Sequence, residues 1–171
     1  MSQTVQQNPL YAEMTVNYTG LTTDHSTAVT ADLSVGDCVI AYGTDSDGTL
    51  RVCRPATGTN HLAYPKFIVN AMPASVNDRI SSGSTTRKGG LIKVIPVGAG
   101  SGTVGIIQAK CAANQAAGVA VGVVNGSFEL TTVTDAAIDT AAKAGTRVGI
   151  QVGQTTSPNA AAVVSVIVGG I

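Results

Sequence analysis

From Gly36 to near its end the chain alternates apolar and polar positions with a period of two, the spacing of half-buried strands. "DCVIAYG" and "TLRVCRP" flank the turn "DSDG", and "LIKVIPV" and "GTVGIIQAK" flank a glycine-rich turn. "VAVGVV" and "SFELTTV" flank Asn125-Gly126, a dipeptide suited to a type I′ hairpin because both turn residues need positive φ. Two further strands follow, "TRVGIQVG" and "AAVVSVIVG". In the first, Val148, Ile150 and Val152 are expected on one face, with Arg147 and Gln151 on the other. The second alternates Val163 and Ile167 with Val164, Val166 and Val168, which predicts burial on both sides, inside a sandwich or at a subunit contact. β-Branched residues dominate these runs, as pleated surfaces favour.

Two segments break the period. "DAAIDTAAKAG" predicts one short helix, with Thr134 as cap, Asp139 and Lys143 spaced i, i+4, and Gly145 as stop. Residues 1–20 are rich in Gln, Asn and Thr, are interrupted by Pro9 and hold no period, which predicts an extended arm. Pro9, Leu10, Tyr11, Met14 and Tyr18 are its candidate anchors on a partner surface, with Val16 beside them. The expected fold is therefore all-β: a compact β-sandwich or β-barrel-like domain over 21–171, an N-terminal arm over 1–20, and at most one short helix. A glycine followed by a strand recurs at Gly36, Gly118 and Gly145, too irregularly for a solenoid.

Composition narrows the function. A chain of 171 residues with 44% hydrophobic positions has the size and apolar content of a single folded domain. Only 12% of residues are charged, about half the usual share, so part of the surface is expected to be covered. The formal net charge is zero, which argues against nucleic acid as the partner. Acids cluster within 1–50 and bases within 51–110; the two segments either neutralise each other within the fold or complement neighbouring copies head to tail. Three cysteines and no export signal imply a reducing compartment. The longest apolar run, "AAAVVSVIVGGI", is too short to span a bilayer.

Candidate chemistry is sparse. Asp45 and Asp47 begin like a calcium loop, but no acid follows until Asp78, so the stretch reads as a hairpin tip. With Asp47-Gly48 as a two-residue loop, Cys53 falls opposite Tyr42. Cys38 then lies about 13 Å along the strand, beyond disulfide reach, so free buried thiols are expected. Gly100, Gly102 and Gly105 match G-x-G-x-x-G, yet "IIQAKC" continues as strand rather than helix, against a dinucleotide site. His25 and His61 have neither the spacing of a zinc site nor the company of a catalytic triad. Arg87 and Lys88, in "RKGG", are candidate contacts for phosphate or acidic protein, or a solvated loop. No enzyme signature, cofactor site or metal site is expected.

The second half resembles a known family. "GVVNGSFELTTVTDAAIDTAAKAGTRVGIQVG", followed by "VVSVIVG", is similar to capsid decoration (cement) proteins of tailed bacteriophages. The matching elements are the glycine and hairpin strand of Gly122 to Leu130, the small-residue segment of Ile138 to Val148, and the closing strand of Val166 to Gly169. "GGLIKV" at Gly89 to Val94 fits the same style, so the resemblance covers roughly 89–171. It implies a structural virion protein, made in the host cytoplasm, that binds the capsid exterior as a homotrimer and bridges copies of the major capsid protein. Another β-rich phage module, such as a head fibre, tail component or glycan-binding domain, is the alternative.

Overall fold

A computed structural model describes residues 12–22, 33–44, 48–55, 64–71, 91–98, 100–124, 126–133, 146–155 and 160–169. Among them there is no helix. The described residues form ten strands: β1 (Met14–Thr22), β2 (Cys38–Thr44), β3 (Leu50–Arg54), β4 (Lys66–Ala71), β5 (Leu91–Val97), β6 (Gly105–Cys111), β7 (Ala120–Val123), β8 (Leu130–Thr132), β9 (Arg147–Gln151) and β10 (Ala162–Val168). The all-β expectation holds, and its barrel form is the one realised. The helix expected over 134–145 lies outside the described residues.

The strands close into two five-stranded barrels, β1-β3-β2-β4-β5 and β6-β8-β7-β9-β10. The barrels have one topology. In each, the first strand pairs parallel with the third and antiparallel with the fifth, and the second pairs with the third and fourth. In each, the fourth also pairs with the fifth.

Register repeats as well. Ile68 faces Cys38 and Ile95 in the first barrel, as Ile150 faces Ala120 and Ile167 in the second. Tyr18 faces Val52 as Cys111 faces Leu130. Bonds outside the ladders agree: Gly36 N–H donates to Val69 O at 2.8 Å and Gly118 N–H to Gln151 O at 2.7 Å. Val69 N–H donates to Asp37 O, and Gln151 N–H to Val119 O, both at 2.9 Å. The chain is a tandem structural repeat.

That organisation corrects several expectations. "LIKVIPV" and "GTVGIIQAK" do not form a hairpin; β5 closes the first barrel and β6 opens the second. The glycine-rich segment between them is the linker, and Gly98, Gly100 and Gly102 all have positive φ (90°, 77° and 75°), which only glycine takes up without strain. From Met14 onward the expected arm is strand β1, with Val16 and Tyr18 fully buried inside the first barrel. Residues 1–11 lie outside the described residues.

The β2/β3 and β7/β8 hairpins exist with shifted registers. Cys53 faces Ile40 rather than Tyr42, because an irregularity falls between Ala41 and Thr44, where Gly43 has φ 87°. Val123 faces Leu130, so six residues rather than a two-residue turn join β7 to β8. A shift of two leaves each side chain on its face. The longer loop is held by the first barrel: Gly126 N–H donates to Pro55 O at 2.8 Å, and Phe128 O accepts from Cys38 N–H at 2.7 Å.

Side chains fill both barrels. Val16, Tyr18, Val39, Val52, Val69, Ile92 and Val94 form the first interior, and Phe128 from the second barrel enters it. Its ring centroid lies 6.3 Å from that of Tyr18, with the Arg54 guanidinium 5.8 Å away over the ring. Conversely, Cys38, Ile68, Ile95 and Val97 of the first barrel join the core cluster of the second. The two barrels therefore share apolar cores across their seam.

Candidate interaction surface

The seam fixes how the chain presents its outer faces. It is built on Gly36–Cys38, where φ at Gly36 is 94° and a Cβ would lie 3.1 Å from Val163 Cγ2. Lys110 N–H donates to Gly36 O at 2.8 Å. Asp37 next to it is fully buried, with Ser34 N–H donating to its Oδ2 at 2.7 Å. Its Oδ1 accepts no hydrogen bond, but the Lys110 ammonium stands 3.4 Å away and is itself 3.9 Å from Glu129. Burial outweighs both the Ser34 bond and Lys110, and pushes the Asp37 carboxyl up to about 6.

Elsewhere the acidic N-terminal segment meets the basic one at Glu13, which accepts from Lys93 at 2.8 Å and from Asn70. These bonds hold the Glu13 carboxyl below its ordinary value. Asp37–Lys110 and Glu13–Lys93 thus pair the two segments within one chain.

Further along β6 and β10 from the Lys110–Val163 pair at the seam, the outer face of the second barrel is left open. Ile106 on β6 faces Ile167 on β10, and Ile167 faces Ile150 on β9. Ile106 and Ile167 are 41% and 43% exposed, with Val104, Val152 and Val163 exposed near them. The equivalent face of the first barrel is covered: Cys38, Ile68 and Ile95 retain 1%, 0% and 3% exposure. The final strand is therefore buried on one side only within the chain. Val166 and Val168 point inward, while Val163 and Ile167 point out.

On β9 the expected faces do not persist along the strand. The register slips at Val148, between the Val121–Gly149 and Gly122–Arg147 pairs. Val148 and Gln151 both end up buried, and Val152 is exposed. Gln151 donates to Gly153 O and Gln115 O, while Thr155 bonds Gln115, so a polar network of amides and hydroxyls is enclosed in this barrel.

The candidate contact residues fare unevenly. Met14 is exposed at the end of β1. Tyr18 is enclosed, and burial raises its phenol above the ordinary range, so it presents nothing to a partner. Pro9, Leu10, Tyr11, Arg87 and Lys88 lie outside the described residues, as do Asp45, Asp47, His25 and His61. Ile106 and Ile150 were missed as surface residues, because alternation assigns faces but not which face meets solvent.

Chemical groups are few. Cys38 and Cys53 are free and buried, as expected, Cys111 is so too, and burial pushes each thiol up to about 12. Lys66 is buried beside Cys38, its ammonium donating to Tyr64 O at 3.3 Å. Among the described residues no three His, Cys, Asp or Glu side chains form a group able to hold a metal, and no helix is long and apolar enough to cross a membrane. No protein-family model matches the chain, and a search of curated proteins finds no significant relative.

Proposed function

We propose that this chain is a structural virion protein that binds the outer surface of a tailed-bacteriophage capsid and stabilises the expanded head by bridging coat subunits. The observation that carries the reading is the run from Gly122 to Gly169 and its likeness to capsid decoration proteins. That run begins midway along β7 and contains β8, β9 and β10, all strands of one closed barrel. The small charged share and the half-exposed apolar face on β6, β10 and β9 support a surface made to be covered.

On this reading the partners are the major capsid protein and further copies of the chain, as a homotrimer. Neither nucleic acid, membrane, cofactor nor catalysis takes part. The protein is made in the host cytoplasm and resides on the capsid exterior. Each contact with the shell is modest, and linked contacts from one oligomer act at high effective concentration.

The test is rate-zonal sedimentation of a lysate from the source, with the protein followed by mass spectrometry. Co-migration with DNA-filled particles and scarcity in unexpanded precursors are expected. Retention among small soluble proteins at moderate salt refutes the reading.

A further inference from the structure

The two barrels share topology and register, but only one of them has its outer face covered. In the first barrel, Cys38, Ile68 and Ile95 on the second, fourth and fifth strands are buried against the second barrel. Their register equivalents are Ala120, Ile150 and Ile167. There, Ile167 is 43% exposed and Ala120 and Ile150 are only half-buried. The residue types repeat in character at all three positions (small, Ile, Ile), so the second barrel carries the same docking face with none of the described residues seated on it as the second barrel is on the first.

The receiving side is duplicated too. The second barrel receives Gly36 of the first on the cross-strand pair Lys110–Val163. Its register equivalent in the first barrel is Asn17–Leu91, on β1 and β5. Leu91 is 57% exposed, the most open large apolar side chain among the described residues. One chain therefore holds an uncovered donor face on its second barrel and, on its first, a copy of the site that receives Gly36, where Leu91 is about as open as Val163 is in the seam (57% and 49%).

We infer that copies of this chain associate head to tail, the Ile150–Ile167 face of one copy's second barrel seating on the Leu91 face of another copy's first barrel, in the manner of the contact between the barrels within the chain. The occupant of the open face is thus a second copy. The contact is heterologous, since two different surfaces meet, and it grows into a closed ring or an open chain according to its rotation. Ile106, which faces Ile167, widens the donor face, where the first barrel instead carries the exposed Glu13–Lys93 pair. The inference rests on the oligomeric part of the function proposed above and not on the capsid.

The experiment is sedimentation velocity of the purified full chain at high micromolar concentration, with Ile167→Asp and Leu91→Asp as variants. The wild type is expected to self-associate, and each variant alone to be monomeric. Mixing the two variants restores one intact donor and one intact receiver, so a heterodimer and nothing larger is expected. Should Ile167→Asp lose its far-UV circular dichroism, Ile106→Ser on the same exposed face takes its place. A monomeric wild type overturns the inference, as does a Leu91→Asp variant that self-associates like the wild type, which would point to a like-with-like contact. Failure of the mixture to form a dimer overturns it too. No capsid is present in the assay, so a negative result here leaves capsid binding to be decided separately, by co-sedimentation with particles.

Discussion

Replacing Asp37 by Asn is expected to stabilise the protein at neutral pH and to remove a pH dependence that the wild type shows on mild acidification. Asp37 has no exposed surface, and one carboxylate oxygen accepts no hydrogen bond. The charged groups facing it are Lys110, at 3.4 Å, and Glu129, which draws on the same ammonium at 3.9 Å. Cys38 and Tyr18 also adjoin it but stay protonated throughout this range. The native carboxyl titrates at about 6, against roughly 3.9 in an unfolded chain. The native state therefore binds more protons between these values, and stability rises as pH falls from about 7 to about 4.

At 1.36 kcal/mol per unit, the ionised group costs the native state about 3 kcal/mol at neutral pH. Asn keeps an oxygen for the Ser34 N–H, and Lys110, partly exposed, stays hydrated and near Glu129. A gain of about 2 kcal/mol is expected for Asp37→Asn near pH 7, shrinking to nothing near pH 4. Urea unfolding of both proteins across this range gives the difference directly, and carboxylates common to both, such as Glu13, cancel. A variant less stable than the wild type at pH 7, or a difference that grows on acidification, would show that Lys110 stabilises the carboxylate more than burial penalises it.

Other predictions concern the cores and the seam. Phe128→Ala is expected to cost about 3 kcal/mol and to split one calorimetric transition into two, because the ring ties the second barrel to the interior of the first; a single transition of unchanged midpoint refutes this. Gly122→Ala places a methyl group 2.6 Å from Thr146 O and 2.8 Å from Val133 Cγ2, so a loss of about 2 kcal/mol in urea is expected, with an unchanged midpoint as the contrary result. The three thiols are expected to ignore a chromogenic disulfide reagent in the native protein and to react together once it is denatured. Reaction of any of them at the native rate of a free thiol would mean that its barrel opens readily.

Much of the secondary structure was legible, because a period of two with β-branched residues has few other readings. The closure of barrels and the repeat were not. Equivalent positions are separated by 93 residues at Tyr18 and Cys111, by 82 at Ile68 and Ile150, and by 72 at Ile95 and Ile167. Connections of different length destroy any fixed period, and the shared glycines Gly36 and Gly118 are the trace that survives. β1 was hidden differently. Met14, Val16 and Tyr18 alternate correctly, but the polar residues before them masked a strand that gains its stability from β5 and β3 rather than from its own composition. The glycine-rich linker read as a hairpin because local sequence specifies a turn without specifying which strands pair across it. The open face followed the same limit: Ile167 is inner or outer only once its barrel is closed.

A repeated register also has a consequence during synthesis. Val94 on β5 and Val166 on β10 occupy equivalent slots, each between a first and a fourth strand. Were both strands present before either barrel had closed, β10 would compete with β5 for the gap in the first barrel, and mispairing would trap a swapped, aggregation-prone intermediate. Order of emergence separates them. At about 5–20 residues per second, β5 leaves the ribosome several seconds before β10, long enough for the first barrel to close before its competitor exists. Refolding from denaturant has no such order, so yield and rate are expected to be poorer in the test tube than on the ribosome.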